Sequence, residues 1–126
     1  MYIDALTKIK NAQFVQRETV KVPFSNLVLA ILETLEKNKL IESVSKKGRM
    51  PKRIIEVKLK YDHGHGAIHK IKFLSTSSRR LYIGYEDIRT VRQGHGLLVL
   101  STPKGILDGR TARKEKVGGQ LLFEIW

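Results

Sequence analysis

Residues 19–38 read TVKVPFSNLVLAILETLEKN, and the change of period inside this stretch decides the kind of fold. Val20 and Val22 alternate with polar neighbours over TVKVP, the two-residue period of a strand with one buried face. Pro23 fits only the end or an edge of that strand, because it has no N–H to give to a ladder. Ser25 then stands where a helix N-cap belongs, its hydroxyl able to accept from an amide of the first turn. Behind it Val28, Ile31, Leu32 and Leu35 recur at i, i+3, i+4 and i+7, the spacing of one helical face. Asn38 is suited to the left-handed conformation that ends a helix, and Lys37 and Lys39 favour the negative end of its dipole.

Outward from this strand and helix, the same two periods recur. Upstream, Ile3, Leu6, Ile9 and Ala12 step by three with Lys8, Lys10 and Asn11 mostly off the stripe, which predicts an amphipathic helix. Downstream, residues 40–45 predict a strand, SKKGRMPKR a hairpin tip punctuated by Gly48 and Pro51, and RIIEVKLKY a second strand. In that second strand Ile55, Val57, Leu59 and Tyr61 face one way and Glu56, Lys58 and Lys60 the other. The first half thus reads α-β-α-β-β, two helices on one small sheet.

The stretch DHGHGA at residues 62–67 breaks the pattern, so the expected division is an N-terminal α/β subdomain over residues 1–62 and a mostly β subdomain over 63–126. The second half reads as short strands at 68–74, 80–85, 97–100 and 120–126, with a helical turn near 86–91. A second helical turn over 110–115 would be capped by Asp108. The last strand has apolar residues on both faces, Leu121, Phe123 and Ile125 alternating with Leu122 and Trp126, which suits a central position. The expected fold class is α+β, with a mostly antiparallel C-terminal part carrying a short helix.

Charge bounds the partner. Across 126 residues, 24 Lys and Arg face 12 Asp and Glu, a formal net charge of +12. A body so charged repels itself, and a polyanion, nucleic acid ahead of a membrane surface, relieves the repulsion. With no cysteine there is neither a disulfide framework nor a thiolate site. The N-terminal residues lack a signal-type apolar region and no run approaches ~20 apolar residues, so an intracellular protein is expected.

Three constellations carry chemistry. His63, His65 and His69 could converge on a metal, or could merely decorate a glycine-rich turn. A metal-dependent nucleic-acid enzyme using that loop is one reading, against which the scattered acids offer no cluster for Mg²⁺. The GHGLLVL stretch from Gly94 matches neither a phosphate loop nor a dinucleotide fingerprint. The tip residues Lys46, Lys47, Arg49, Lys52 and Arg53 would meet phosphates or water, positioning a partner without reading its sequence. Finally, residues 100–120, LSTPKGILDGRTARKEKVGGQ, set hydroxyls and glycines at a strand exit beside five Lys and Arg. They are either a turn with a glycine bulge and a solvated basic helix, or a surface facing bases, 2′-hydroxyls and anions.

Taken in order, these pieces resemble a known family, the bacterial-type eighth protein of the small ribosomal subunit, over essentially the whole chain. The residues that carry the resemblance are Asp4, Leu6, Thr7, Lys8, Ile9, Lys10, Asn11 and Ala12, then VPFSNL at 22–27 and LKY at 59–61. In the second half they are GHGLLVLSTPKG and the closing KVGGQLLFEIW. The resemblance implies a non-enzymatic protein of the cytoplasmic ribosome without a cofactor or membrane partner. It would be a monomer within the ribosome, binding the central domain of small-subunit rRNA, lying beside other small-subunit proteins and helping assembly. Some members also repress translation by binding their own messenger RNA. By this resemblance the RNA site comprises Ser101, Thr102, Pro103, Lys104 and Gly105, then Gly118, Gly119 and Gln120, flanked by Arg80 and Tyr82. Ser25, Asn26 and Lys60 would touch the RNA backbone. The chain departs from the family pattern at Pro103, where the second Ser of the loop stands, at Gln120 for Glu, at Asn26 for Lys, and at Thr76, Ser77 and Ser78.

Overall fold

The computed structural model describes residues 2–48, 53–75, 79–88 and 96–126. The first helix, α1 (Tyr2–Phe14), buries Ala5, Leu6, Ile9 and Ala12, the stripe its spacing predicts. Strand β1 (Thr19–Pro23) buries Val20 and Val22 and ends at the proline. Helix α2 (Asn26–Lys37) is capped by Ser25, whose Oγ accepts from Val28 N at 3.0 Å, and buries Val28, Ile31, Leu32 and Leu35. Strands β2 (Ile41–Lys47) and β3 (Ile54–Leu59) complete an antiparallel sheet of order β1-β3-β2, with Ile55, Val57 and Leu59 buried in the central strand. Burying a side chain of this size is worth about 1.5–3 kcal/mol, so these residues dominate the unit's stability.

The left-handed residue after α2 is Lys39, at φ 64°, and not Asn38, whose φ and ψ are −95° and 12°. The helical hydrogen bonding runs through Asn38, and its side-chain amide donates to Thr34 O at 2.8 Å, so the reversal waits one residue. Leu40 N then donates to Leu35 O, and Lys39 N to Glu36 O, a Schellman ending. The other two helices end the same way on Gln16 (φ 56°) and Lys116 (φ 58°), so all three described α-helices place a non-glycine residue where glycine is cheapest.

Two compact units divide the chain, Met1–Ile68 and His69–Trp126. The stretch expected as a bare break forms a small ladder, β4 (Tyr61–Asp62) with β5 (His65–Gly66), turning through His63 and Gly64 at positive φ. This ladder closes the first unit, with Ala67 N bonded to Lys60 O.

In the second unit, β10 (Gly119–Ile125) is central, as its two apolar faces suggest. One edge pairs first with β7 (Leu81–Ile83) and then with β6 (Ile71–Phe73); the other pairs with β8 (Leu97–Thr102). A bulge between Leu121 and Phe123 shifts the β8 register, and Phe123 meets Phe73 edge-on at 6.3 Å. A strand absent from the sequence reading, β9 (Gly105–Asp108), pairs with β8. Helix α3 (Gly109–Lys114) follows, capped by Asp108 accepting from Thr111 N at 3.1 Å. Ala112 of α3 packs on Leu98, Leu100 and Ile88, the last of these capping the 3₁₀ turn Tyr85–Asp87. The expected hairpin tip at 49–52, the end of the turn expected over 86–91, the first glycine of GHGLLVL and the departure at 76–78 lie outside the described residues.

Candidate nucleic-acid interface

The geometry of the second unit is set by register. Tyr82 of β7 opposes Gln120 of β10, and Gln120 opposes Ser101 of β8, which opposes Ile106 of β9. Opposed residues of antiparallel strands point to the same side, so Tyr82, Gln120 and Ser101 form one row across three strands. The next row, Leu81, Leu121, Leu100 and Leu107, points the other way, and Leu100, Leu107 and Leu121 line the cluster under α3. Leucines thus anchor this second row, while a phenol, an amide and a hydroxyl, with Ile106 at the end, make up the first. Tyr82 is 69% exposed, large for an aromatic ring, and exposed Arg80 stands two residues before it.

The glycines of the predicted site have a structural duty. A Cβ on Gly119 would collide with the carbonyl oxygen of Ser101 and sit 2.9 Å from its carbonyl carbon. A Cβ on Gly118 would collide with Ile83 O and reach 2.8 Å from Gly84 Cα. These two residues let three backbones converge. Ser75 reinforces the convergence: it is 1% exposed, its Oγ donates to Leu121 O, and it accepts from Leu81 N at 3.0 Å. Neither Ser75 nor Ile83 was singled out from sequence, where a serine or isoleucine between short strands carries no signal.

The two hydroxyls beside them differ. Residues 102–105 make a two-residue turn, Pro103 and Lys104 exposed at its tip, with Thr102 opposite Gly105 at φ 109°. Thr102 Oγ1 donates to Gly105 O at 2.8 Å and accepts from Lys104 N at 3.1 Å, so its hydrogen is spent inside the turn. Ser101 Oγ has no hydrogen-bond partner among the described residues and can still donate. Pro103 needs no N–H at the tip, and its fixed φ suits the first turn position. Strand β9 could have been read from STPKG between two apolar runs, a hairpin signal.

Beyond this row, Arg110, Arg113, Lys114 and Lys116 are exposed along α3 and its exit, a positive flank to the hairpin. In the first unit, Ser25 spends one lone pair on its cap, Asn26 is exposed at the first turn of α2, and half-buried Lys60 links β3 to β4. Lys46 and Lys47 are exposed in β2, Lys47 Nζ lying 3.5 Å from Glu56 Oε1. Arg53 stacks over Phe24 at 5.5 Å. Desolvation raises the Tyr61 phenol above its ordinary value of 10.0, and its hydroxyl donates to Arg17 O at 2.6 Å. Among the described residues no three His, Asp or Glu side chains converge as metal ligands would: His63 and His65 sit in the turn of the first unit, while His69 opens the second.

These features define a basic α+β protein of two small units with a polar row beside a tight hairpin. The family model of ribosomal protein S8 matches residues 2–126, and the chain belongs to that family. It is 41% identical over 124 residues to small ribosomal subunit protein uS8 of Nautilia profundicola, covering 98% of this chain and 95% of the relative. The uS8 proteins of Vesicomyosocius okutanii and Desulfovibrio desulfuricans are 40% and 39% identical over 123 residues, each covering 98% of this chain and 94% of the relative. The protein is a structural component of the small subunit of the cytoplasmic ribosome and not an enzyme.

Proposed function

We propose that this protein is a primary rRNA-binding protein, seating the row Tyr82, Gln120 and Ser101 and the adjoining hairpin against irregular bases of the central domain of small-subunit rRNA. The observation that carries the reading is that row: an exposed ring, an amide and an uncommitted hydroxyl held in register on a sheet whose other face is apolar. Unpaired or irregular bases expose edges that a regular A-form helix hides, and an aromatic ring with small polar side chains is suited to them. Lys104, Arg80 and the α3 cations would meet flanking phosphates, as would Ser25, Asn26 and Lys60 from the first unit. A rigid site of this kind would favour one RNA conformation and so help the subunit assemble. A messenger RNA folded into the same irregular helix, including the protein's own, would compete for the row.

Crosslinking the protein to RNA in cell lysate and sequencing the attached fragments tests this reading. A single dominant peak in the central domain is expected. Fragments scattered over unrelated RNAs would overturn it, and a peak on the protein's own transcript would place the regulatory role beside the ribosomal one.

A further inference from the structure

Phe14, the last residue of α1, is 88% exposed, and Val15 beside it is 62% exposed. Unlike the other two helices, α1 has a charged residue, Arg17, at the position after its left-handed residue where α2 and α3 place Leu40 and Val117. That position normally packs back on the helix, so the end of α1 is left uncovered.

The surroundings are basic and rigid. Across residues 5–32 the cations Lys8, Lys10, Arg17 and Lys21 face one acid, Glu18. Lys10 is exposed one turn before Phe14. The β4–β5 ladder and the residue two beyond it hold the helix end: Tyr61 Oη donates to Arg17 O at 2.6 Å, Gln16 Nε2 donates to Gly64 O at 3.4 Å, and Gln13 bonds both the N–H and the carbonyl of Ile68. A Cβ on Gly66 would strike the end of the Gln13 side chain, which would then have to shift from its place against Ile68. The exposed ring therefore sits on a helix end braced through Gln13, Gln16 and the Arg17 carbonyl.

We infer that Phe14 is a stacking platform for one unpaired nucleotide of RNA, with Lys10 and Arg17 meeting the flanking phosphates. An exposed aromatic ring with a cation one turn before it and another three residues after it matches a single base and its backbone, since every base has a π-face and stacking tolerates any sequence. A protein partner would instead want several contiguous apolar anchors, and among the described residues Val15 is the one exposed large apolar residue next to Phe14 in the chain. This contact belongs to the first unit and the Tyr82 row to the second, and it rests on the reading that the protein binds rRNA.

The test measures affinity for a central-domain fragment of the organism's own small-subunit rRNA at several salt concentrations, with wild type, Phe14→Ala, Phe14→Leu, Phe14→Tyr and Ser101→Ala. Phe14→Ala and Phe14→Leu should each weaken binding about tenfold with the salt slope unchanged, because stacking releases no counterions. Phe14→Tyr should stay within about twofold of wild type, and all three should melt like wild type because the ring is exposed. Loss in Ser101→Ala without loss in Phe14→Ala would overturn the stacking contact and leave the Tyr82 row standing. Wild-type affinity in Phe14→Leu would overturn stacking in favour of apolar packing. No preference of wild type for the fragment over unrelated RNA would remove both readings.

Discussion

Gly119 lies so close to Ser101 that any side chain at the glycine would strike the serine's carbonyl oxygen. The hydroxyl of the candidate site is thus positioned by the absence of an atom on the neighbouring strand. Gly119→Ala should force β8 away from β10 and cost about 1–3 kcal/mol, the usual penalty of overpacking. A denaturant melt measures the stability, and the same sample should lose rRNA affinity. Unchanged stability would show that the two backbones can part freely.

The hydroxyls of Ser101 and Thr102 should separate in their effects. Thr102→Ala removes both bonds that staple the turn and should lower stability by about 1 kcal/mol, while Thr102→Ser restores it. Ser101→Ala removes no hydrogen bond among the described residues, so stability should hold while rRNA affinity falls about fivefold or more. Paired melting and binding curves check this, and a stability loss confined to Ser101→Ala would contradict it.

Lys39→Gly should stabilise the protein by about 0.5–1 kcal/mol, because Lys39 holds φ 64° at a Schellman position that costs a side chain strain and glycine little. The gain should appear in the denaturant midpoint with an unchanged m-value. A loss would mean that the lysine side chain supports the reversal.

Lys46→Ala or Lys47→Ala should reduce the slope of log affinity against log salt by about one, without altering discrimination between RNAs. In the 3.5 Å pair of Lys47 with Glu56 the lysine is exposed and the carboxylate partly so, and its removal should change stability by less than about 1 kcal/mol. Equal loss of affinity at every salt concentration would show that these lysines act through structure.

Alkaline pH should weaken the first unit through Tyr61. Its phenol is raised above 10.0 by desolvation, so its contribution is full below pH 10.0 and is lost as pH climbs from there through the folded value. Tyr61→Phe should flatten that part of the decline and leave the part due to Tyr2, which burial also raises. Parallel stability curves for wild type and Tyr61→Phe between pH 9 and 12 would rule the phenol out.

Local periods made much of the fold legible. The strand at Thr19–Pro23, the cap at Ser25 and the buried face of α2 follow from side-chain spacing and one hydroxyl, both of which act within a few residues. Asp108 and the central terminal strand were readable for the same reason. Where competition between neighbours decided the outcome, sequence was a poorer guide: Asn38 favours the left-handed state in isolation, yet its bonds to Thr34 keep it helical and pass the reversal to Lys39.

What the sequence by itself determined was the α+β character, the two apolar helix faces, the net positive charge and the family, because all four are carried by residue identity and short-range spacing. Tertiary structure alone decided which strands share an edge of β10, that Tyr82, Gln120 and Ser101 fall in one row, and that Gly118 and Gly119 are glycines because other backbones lie against them. It also divided two adjacent hydroxyls into one spent on a turn and one left to donate. These are relations between segments distant in the chain, fixed by register and close approach, and no local pattern encodes them.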